Sequence, residues 1–236
     1  MFKVVGAGAM LVARAAFADP YPEEVTDRPV VLNPGMTQLD ASGDFASTSN
    51  GALRHHWFTL SADHAFGPVE IDASLGFYAS LQVQYATGGI PGAVYVNAES
   101  GVPQSNNTLH EDQSIGVQHK VLVVPHAFAL RFDVGLTLSE NRATDDTWTH
   151  VLVPYVGVSA EAQLAPFIAV IVGVFGAVPI EHSGPDNYAS TLSLGSGLIV
   201  TVDRDWDFYG HAGFNGVTTS FKFPYIDVGI ARRFGR

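Results

Sequence analysis

The sequence predicts an all-β fold: a closed, antiparallel, up-and-down transmembrane β-barrel of about ten strands (8–12), with short periplasmic turns and longer outer loops. Three observations predict it. Residues 128–139 alternate without a break. Phe128, Leu130, Phe132, Val134, Leu136 and Leu138 form one set, and Arg131, Asp133, Gly135, Thr137 and Ser139 the other. Successive strand side chains point to opposite faces, so one face is wholly apolar and the other polar. Hydrophobic residues make up 47% of the chain and charged residues only 15%. A soluble domain carries about a quarter of its residues as charges, so this surface is coated by something other than charge. Finally, the links between strands sort by parity into longer and shorter ones, as they do in outer-membrane barrels.

The elements follow in order. Met1-Phe2-Lys3, the apolar run 4–13 and Ala16-Phe17-Ala18 have the layout of a secretory signal peptide over 1–18, with cleavage near Ala18. The apolar run is shorter than the ~20 residues a spanning helix needs. The mature chain then keeps 10 basic and 23 acidic side chains, net −13, because Lys3 and Arg14 leave and no acid does. That balance disfavours nucleic acid as a partner. Cysteine is absent, so an exported chain must be held by its sheet alone, which ring closure achieves.

Residues 19–35 carry Pro20, Pro22, Pro29 and Pro34 among Glu23, Glu24, Asp27 and Arg28. They read as an extended periplasmic lead-in rather than a packed element. The barrel domain follows over 36–236. Strands are expected at 37–46, 53–62, 69–80, 113–123, 128–139, 149–160, 166–178, 188–202, 207–215 and 223–234. Gly88-Gly89, Pro91-Gly92, Pro103 and Asn106-Asn107 make 82–112 a long loop with a short hairpin around 93–97. The links at 47–51, 82–112, 140–147, 179–187 and 216–222 are the longer, polar ones. Those at 62–68, 124–126, 161–164 and 203–206 are short. Residues 167–178 are apolar on both faces, but β-branched content and a length of about a dozen residues favour a strand over a helix.

Residues 28–40 (Arg-Pro-Val-Val-Leu-Asn-Pro-Gly-Met-Thr-Gln-Leu-Asp), 66–71 and 202–207 resemble segments of uncharacterised proteobacterial outer-membrane barrel proteins. Those are loosely grouped with the transporter barrel family of phenol meta-cleavage pathways. The resemblance implies a barrel that handles aromatic compounds, and it carries no residue motif. The terminal strand 225–234, ending on Phe234, is similar to the signal read by the barrel-assembly machinery, which the resemblance makes a partner together with outer-membrane lipid.

Alternation places Asp40, Asp44, Glu70, Asp72, Asp133, Asp207 and Asp227 on the lumen side, with Lys120, Arg131 and Arg233 as basic partners. They form either a cation-preferring passage or a salt-bridged plug, since eight strands leave a side-chain-filled lumen and 16–18 an open one. Asp203-Arg204-Asp205-Trp206-Asp207 lacks the Gly and distal Glu of a calcium loop and reads as a turn. Trp57, Tyr78, Tyr155, Tyr188, Tyr209 and Tyr225 sit near strand ends and are candidates for interfacial girdles. No metal or cofactor site is expected: the adjacent His55 and His56 point to opposite faces.

The function these features support is a small porin-like or hydrophobic-solute transport barrel, or a structural one, in the outer membrane of a Gram-negative bacterium, without catalytic chemistry. A small solute is a possible ligand. One alternative is an outer-membrane hydrolase, a lipid A deacylase or protease using His182 and Ser183 on a rim loop. Adjacent residues show none of the nucleophile–base–orienter geometry this needs. The other is a secreted soluble barrel that binds a ligand inside, which would turn Phe132 and Val134 into a core.

Overall fold

The structure is a computed structural model and describes residues 22–47, 53–75, 78–87, 90–101, 109–142, 148–183, 190–215 and 223–235. The proposed signal peptide and its cleavage site lie outside them. The strands are β1 (Thr37–Ser47), β2 (Leu53–Phe66), β3 (Val69–Leu75), β4 (Tyr78–Thr87), β5 (Ile90–Gly101), β6 (Leu109–Val124), β7 (Phe128–Arg142), β8 (Trp148–Ala165), β9 (Ile168–Ala177), β10 (Glu181–Ser183), β11 (Thr191–Val202), β12 (Trp206–Asn215) and β13 (Phe223–Phe234).

Every consecutive pair from β1 to β9 is antiparallel and hydrogen-bonded, and the series continues β9–β11–β12–β13. β1 then pairs with β13, from Thr37 opposite Phe234 to Ala46 opposite Tyr225. That contact closes a ring of twelve strands. β10 is not a thirteenth stave. It pairs with β8 beyond the end of β9, and Val178 N–H and Ile180 N–H bridge the gap by donating to Pro154 O and Leu152 O. The expected all-β, closed, up-and-down antiparallel barrel is present with two more strands than the ten read from the sequence. The stretch apolar on both faces is a strand, β9, over Ile168–Ala177.

The two extra strands come from 78–101, where the sequence pattern suggests the end of one strand and then a loop. β3 runs into β4 through a link of two residues, with Ser74 opposite Tyr78. Paired residues share a face, and Ser74 opposite Tyr78 leaves an odd number of residues between partners, so Ile71, Ala73 and Leu75 and then Ala79, Leu81 and Val83 hold the same face and alternation passes through the reversal unmarked. In β5, Pro91 and Gly92 are strand residues opposite Ala86 and Tyr85. Proline is tolerated there because it sits at the start of the strand.

Links at one end of the ring span two or three residues: 67–68, 88–89, 125–127, 166–167 and 203–205. At the other end they are longer, apart from 76–77. The tight turns need the left-handed backbone at Gly67 (φ 65), His126 (φ 62) and Asp203 (φ 55). Asp203–Asp205 is therefore a turn, as expected.

The outer face is apolar. Phe58 and Phe66 are 60% exposed, Val134 57% and Leu75 74%. Phe132 is exposed as well. The soluble-core alternative, which buries Phe132 and Val134, does not hold. Among the described residues no helix is long and apolar enough to cross a membrane, so any crossing is made by strands, whose backbone groups the ring satisfies without an edge. Aromatics at the short-turn rim include Phe66, Phe128, Phe167, Trp206 and Phe234, with the Arg232 guanidinium 4.7 Å from the Trp206 ring and 4.6 Å from that of Phe234.

Buried apolar side chains inside the ring are few and small. Ala65, Ala93, Ala129, Ala169 and Ala231 face inward near the short-turn ends of their strands and are buried. This collar leaves space, and the chain fills it with its own N-terminal segment. The described part of the segment 19–35, expected to be an unpacked lead-in, lies inside the barrel mouth together with Met36. Val25, Thr26, Arg28, Val31, Leu32 and Met36 are all buried, and Leu32 and Met36 pack on Ala65. One 3₁₀ turn, Val25–Asp27, is its sole regular element. Prolines hold the rest extended.

Candidate functional site: a half-plugged acidic lumen

The segment is seated by charge. Arg28 extends along the wall and donates from Nη1 to Asp207 Oδ2 at 2.5 Å and from Nη2 to Asp207 Oδ1 at 3.1 Å. The same Nη2 reaches Thr201 Oγ1 at 2.8 Å and Glu23 O at 2.9 Å. Thr201 Oγ1 in turn donates to Asp207 Oδ1 at 2.8 Å. Arg233 pairs with the same Asp207 from the neighbouring strand. This fork-to-fork geometry is the strong form of an ion pair.

A second anchor lies on β6 and β8. Lys120 Nζ donates to Val25 O at 2.8 Å and meets Glu161 Oε2 at 2.5 Å. Arg131 Nε approaches Glu161 Oε1 at 3.6 Å. Lys120 and Glu161 are each only 3% exposed, so each charge depends on the other. A third anchor is Leu32 N–H, which donates to Glu70 Oε2 at 2.6 Å. At the rim, His126 N–H donates to Asp27 Oδ1 at 3.0 Å and its ring pairs with the same carboxylate. Glu24, Asp27 and His126 hold ligand atoms within 4.8 Å of one another and could share a cation, though the exposed His126 ring already meets the Asp27 carboxylate.

Beyond the segment the wall is acidic. Asp40 accepts from the Tyr209 hydroxyl at 2.6 Å and Asp133 from the Tyr95 hydroxyl at 2.7 Å, with Tyr155 touching Tyr95 at its hydroxyl. Asp227 lies 3.3 Å from His211 Nδ1. Asp63 and Asp72 stand directly opposite one another on β2 and β3, and Asp44 stands opposite Asp227 on β1 and β13. Like charges placed opposite destabilise a sheet, so ionising both members of either pair works against the strand pairing. The cations Arg28, Lys120, Arg131 and Arg233 are gathered around Glu161 and Asp207, away from most of these acids.

Cavities remain among the described residues. One of about 380 Å³ lies between the segment and the wall, bordered by Asp40, Asp63, Glu70, Lys120, Arg131, Asp207, Tyr209 and Arg233 among others. Another of about 290 Å³ is bordered by Arg131, Asp133, Ser159, Ser196, His211 and Tyr225. The tyrosines lie flat because glycines face them. A Cβ on Gly135 would fall 2.2 Å from the Tyr155 hydroxyl oxygen, and one on Gly229 would fall 2.3 Å from Tyr209.

Of the residues singled out from the sequence, Asp40, Glu70, Lys120, Arg131, Asp207 and Arg233 border the first cavity and Asp133 the second. Asp44, Asp72 and Asp227 share their face by alternation and register. Tyr78, Tyr155, Tyr209 and Tyr225 are lumen residues, on the same face as Ser80, Gly157, Asp207 and Asp227; they do not form interfacial girdles. Tyr188 and the side chains of His55, His56, Trp57, His182 and Ser183 lie outside the described residues. The backbone of His182 and Ser183 is strand, opposite Val151 and His150.

Arg28, Asp63, Glu161, Tyr95 and His211 are absent from the sequence-based set. Asp63 and Glu161 are inward strand residues next to turns, where an acid reads equally well as a turn residue. Tyr95 was hidden by the expected loop. No sequence signal marks Arg28, since a charge among prolines reads as solvated.

No family model matches the chain, and no curated protein matches it in sequence. Solved structures do match in fold. The NanC porin is 8% identical, with 82% of this chain aligned to 98% of that one and a TM-score of 0.54. The KdgM porin is 10% identical, over 84% and 99% of the two chains, at 0.55. An outer-membrane channel from Pseudomonas putida F1 is 9% identical, over 92% and 100%, at 0.55. At these identities what is shared is the architecture, that of outer-membrane barrels.

Proposed function

We propose that this protein is a porin-like barrel of the bacterial outer membrane, passing small polar solutes with a preference for cations and performing no catalysis. One observation carries the preference: Asp40, Asp63, Glu70, Asp72, Asp133 and Asp227 face the lumen, while its cations are gathered around Glu161 and Asp207. A narrow passage lined by one sign of charge concentrates counter-ions. The apolar outer face supports a lipid environment, and the likeness to porins and a channel supports the class. The resemblance to the phenol meta-pathway family points to aromatic solutes. A lumen lined by carboxylates and tyrosine hydroxyls suits cationic or polar ones better. The C-terminal strand, ending on an outward Phe234, is the proposed handle for the assembly machinery.

The experiment is a reversal potential in planar bilayers under a KCl gradient. Potassium should permeate ahead of chloride, and replacing Asp40, Asp133 and Asp227 by Asn should shift the potential toward zero. Chloride preference, or a current unaffected by replacing the acids, overturns the proposal.

A further inference from the structure

We propose that residues 22–36 are a displaceable plug, and that the pocket Arg28 occupies, formed by Asp207 and Thr201, is a guanidinium subsite for which an incoming organic cation competes. Three observations carry this beyond the transport reading.

The ring does not need the segment. Its closure through β1–β13 and β8–β9 is complete in strand pairing, so departure of 22–34 breaks no ladder between strands. The wall's charges keep partners when it leaves. Asp207 retains Arg233, and Lys120 retains Glu161. A segment built to stay would leave such charges uncompensated on removal; here both ion pairs persist, and Glu70, which gives up the Leu32 N–H, opens to the water that replaces the segment. The seat is a collar of alanines, which gives a sliding fit rather than the interlocked packing of a permanent core. The Gly35 carbonyl lies where a Cβ on Gly235 would fall, at 2.5 Å, and Gly35 itself has a φ of +84°. The segment is thus joined to β1 through a joint that few other residues could form.

The latch has a defined chemistry. A planar fork meets a carboxylate and a hydroxyl at 2.5–3.1 Å. A free guanidinium solute presents the same donors and competes for the same acceptors, whereas an ammonium satisfies them singly. Binding of such a solute and seating of the plug are then mutually exclusive.

The chain has no cysteine, so a single Val31→Cys, at a position 1% exposed, reports seating through its rate of alkylation in detergent-folded full-length protein. Labelling should be slow. It should accelerate at least tenfold on adding Arg28→Ala and less on adding Arg28→Lys. Millimolar argininamide should accelerate it in the Arg28 background, with lysinamide weaker. Arg28→Ala should also enlarge the single-channel current, and heat-modifiable gel migration shows that each variant retains its barrel. Labelling that is fast from the outset, or equally slow in all three backgrounds and unchanged by argininamide, overturns the plug. Accelerated labelling in proteins that never conduct leaves the plug standing and overturns the transport reading instead.

Discussion

Val134 offers a sharp test of where the barrel sits. It lies in the middle of β7, points outward, is 57% exposed and is flanked by Val117 and Val156 on the adjacent strands. In a bilayer this is a midplane position, and arginine there costs about 2–4 kcal/mol. That is a change of roughly 25- to 700-fold in the folding equilibrium. On a soluble barrel the same half-exposed site would tolerate arginine within about 0.5 kcal/mol. Three residues away, Thr137 faces the lumen, where a charge remains hydrated. Urea titration of Val134→Arg and Thr137→Arg in lipid vesicles, read by heat-modifiable migration, separates the cases. Val134→Arg should lose stability in that range, with Thr137→Arg within about 1 kcal/mol of the parent protein. Equal, small losses at both positions would refute the reasoning.

Other perturbations probe the lumen. Glu161→Gln leaves Lys120 buried without its counter-charge and should cost about 3 kcal/mol. The Lys120→Met/Glu161→Leu double variant should cost less than that single change, as denaturant midpoints would show. Asp63→Asn removes the repulsion that arises once both Asp63 and the facing Asp72 are ionised, and should stabilise the barrel by a few tenths to about 1 kcal/mol in denaturant titrations at alkaline pH. Gly229→Val would drive a side chain into the flat Tyr209 ring and should cost about 1–3 kcal/mol by overpacking. The release of the Tyr209 hydroxyl from Asp40 would appear in tyrosine fluorescence.

The class of fold was legible because a lipid-facing strand and its polar reverse write themselves as alternation, and because β7 does so over a dozen residues. The strand count was not. Alternation passes from β3 into β4 with its parity intact, because Ser74 pairs with Tyr78, and Pro91 and Gly92 read as breakers although they begin a strand. The acidic face was visible wherever a strand was placed correctly, so Asp40, Asp72 and Asp133 could be found and Asp63 and Glu161, next to turns, could not. The plug was invisible for a different reason. Proline-rich backbone carries no periodicity, and the fit of Arg28 depends on Asp207, 179 residues away. Only the alanines hinted at space: Ala65, Ala129 and Ala231 are the small members of otherwise polar inward rows, and a small inward residue near a barrel mouth signals something to be accommodated there.

The most direct measurement of the central claim is nitroxide accessibility at two positions of β7, Val134→Cys and Thr137→Cys, with the protein folded into vesicles. A wall facing lipid predicts that the label at 134 collides with dissolved oxygen and is shielded from a water-soluble nickel complex, with the opposite ranking at 137. Equal accessibility of both labels to the nickel complex, or the reverse ranking, would contradict a membrane-spanning barrel with a polar lumen.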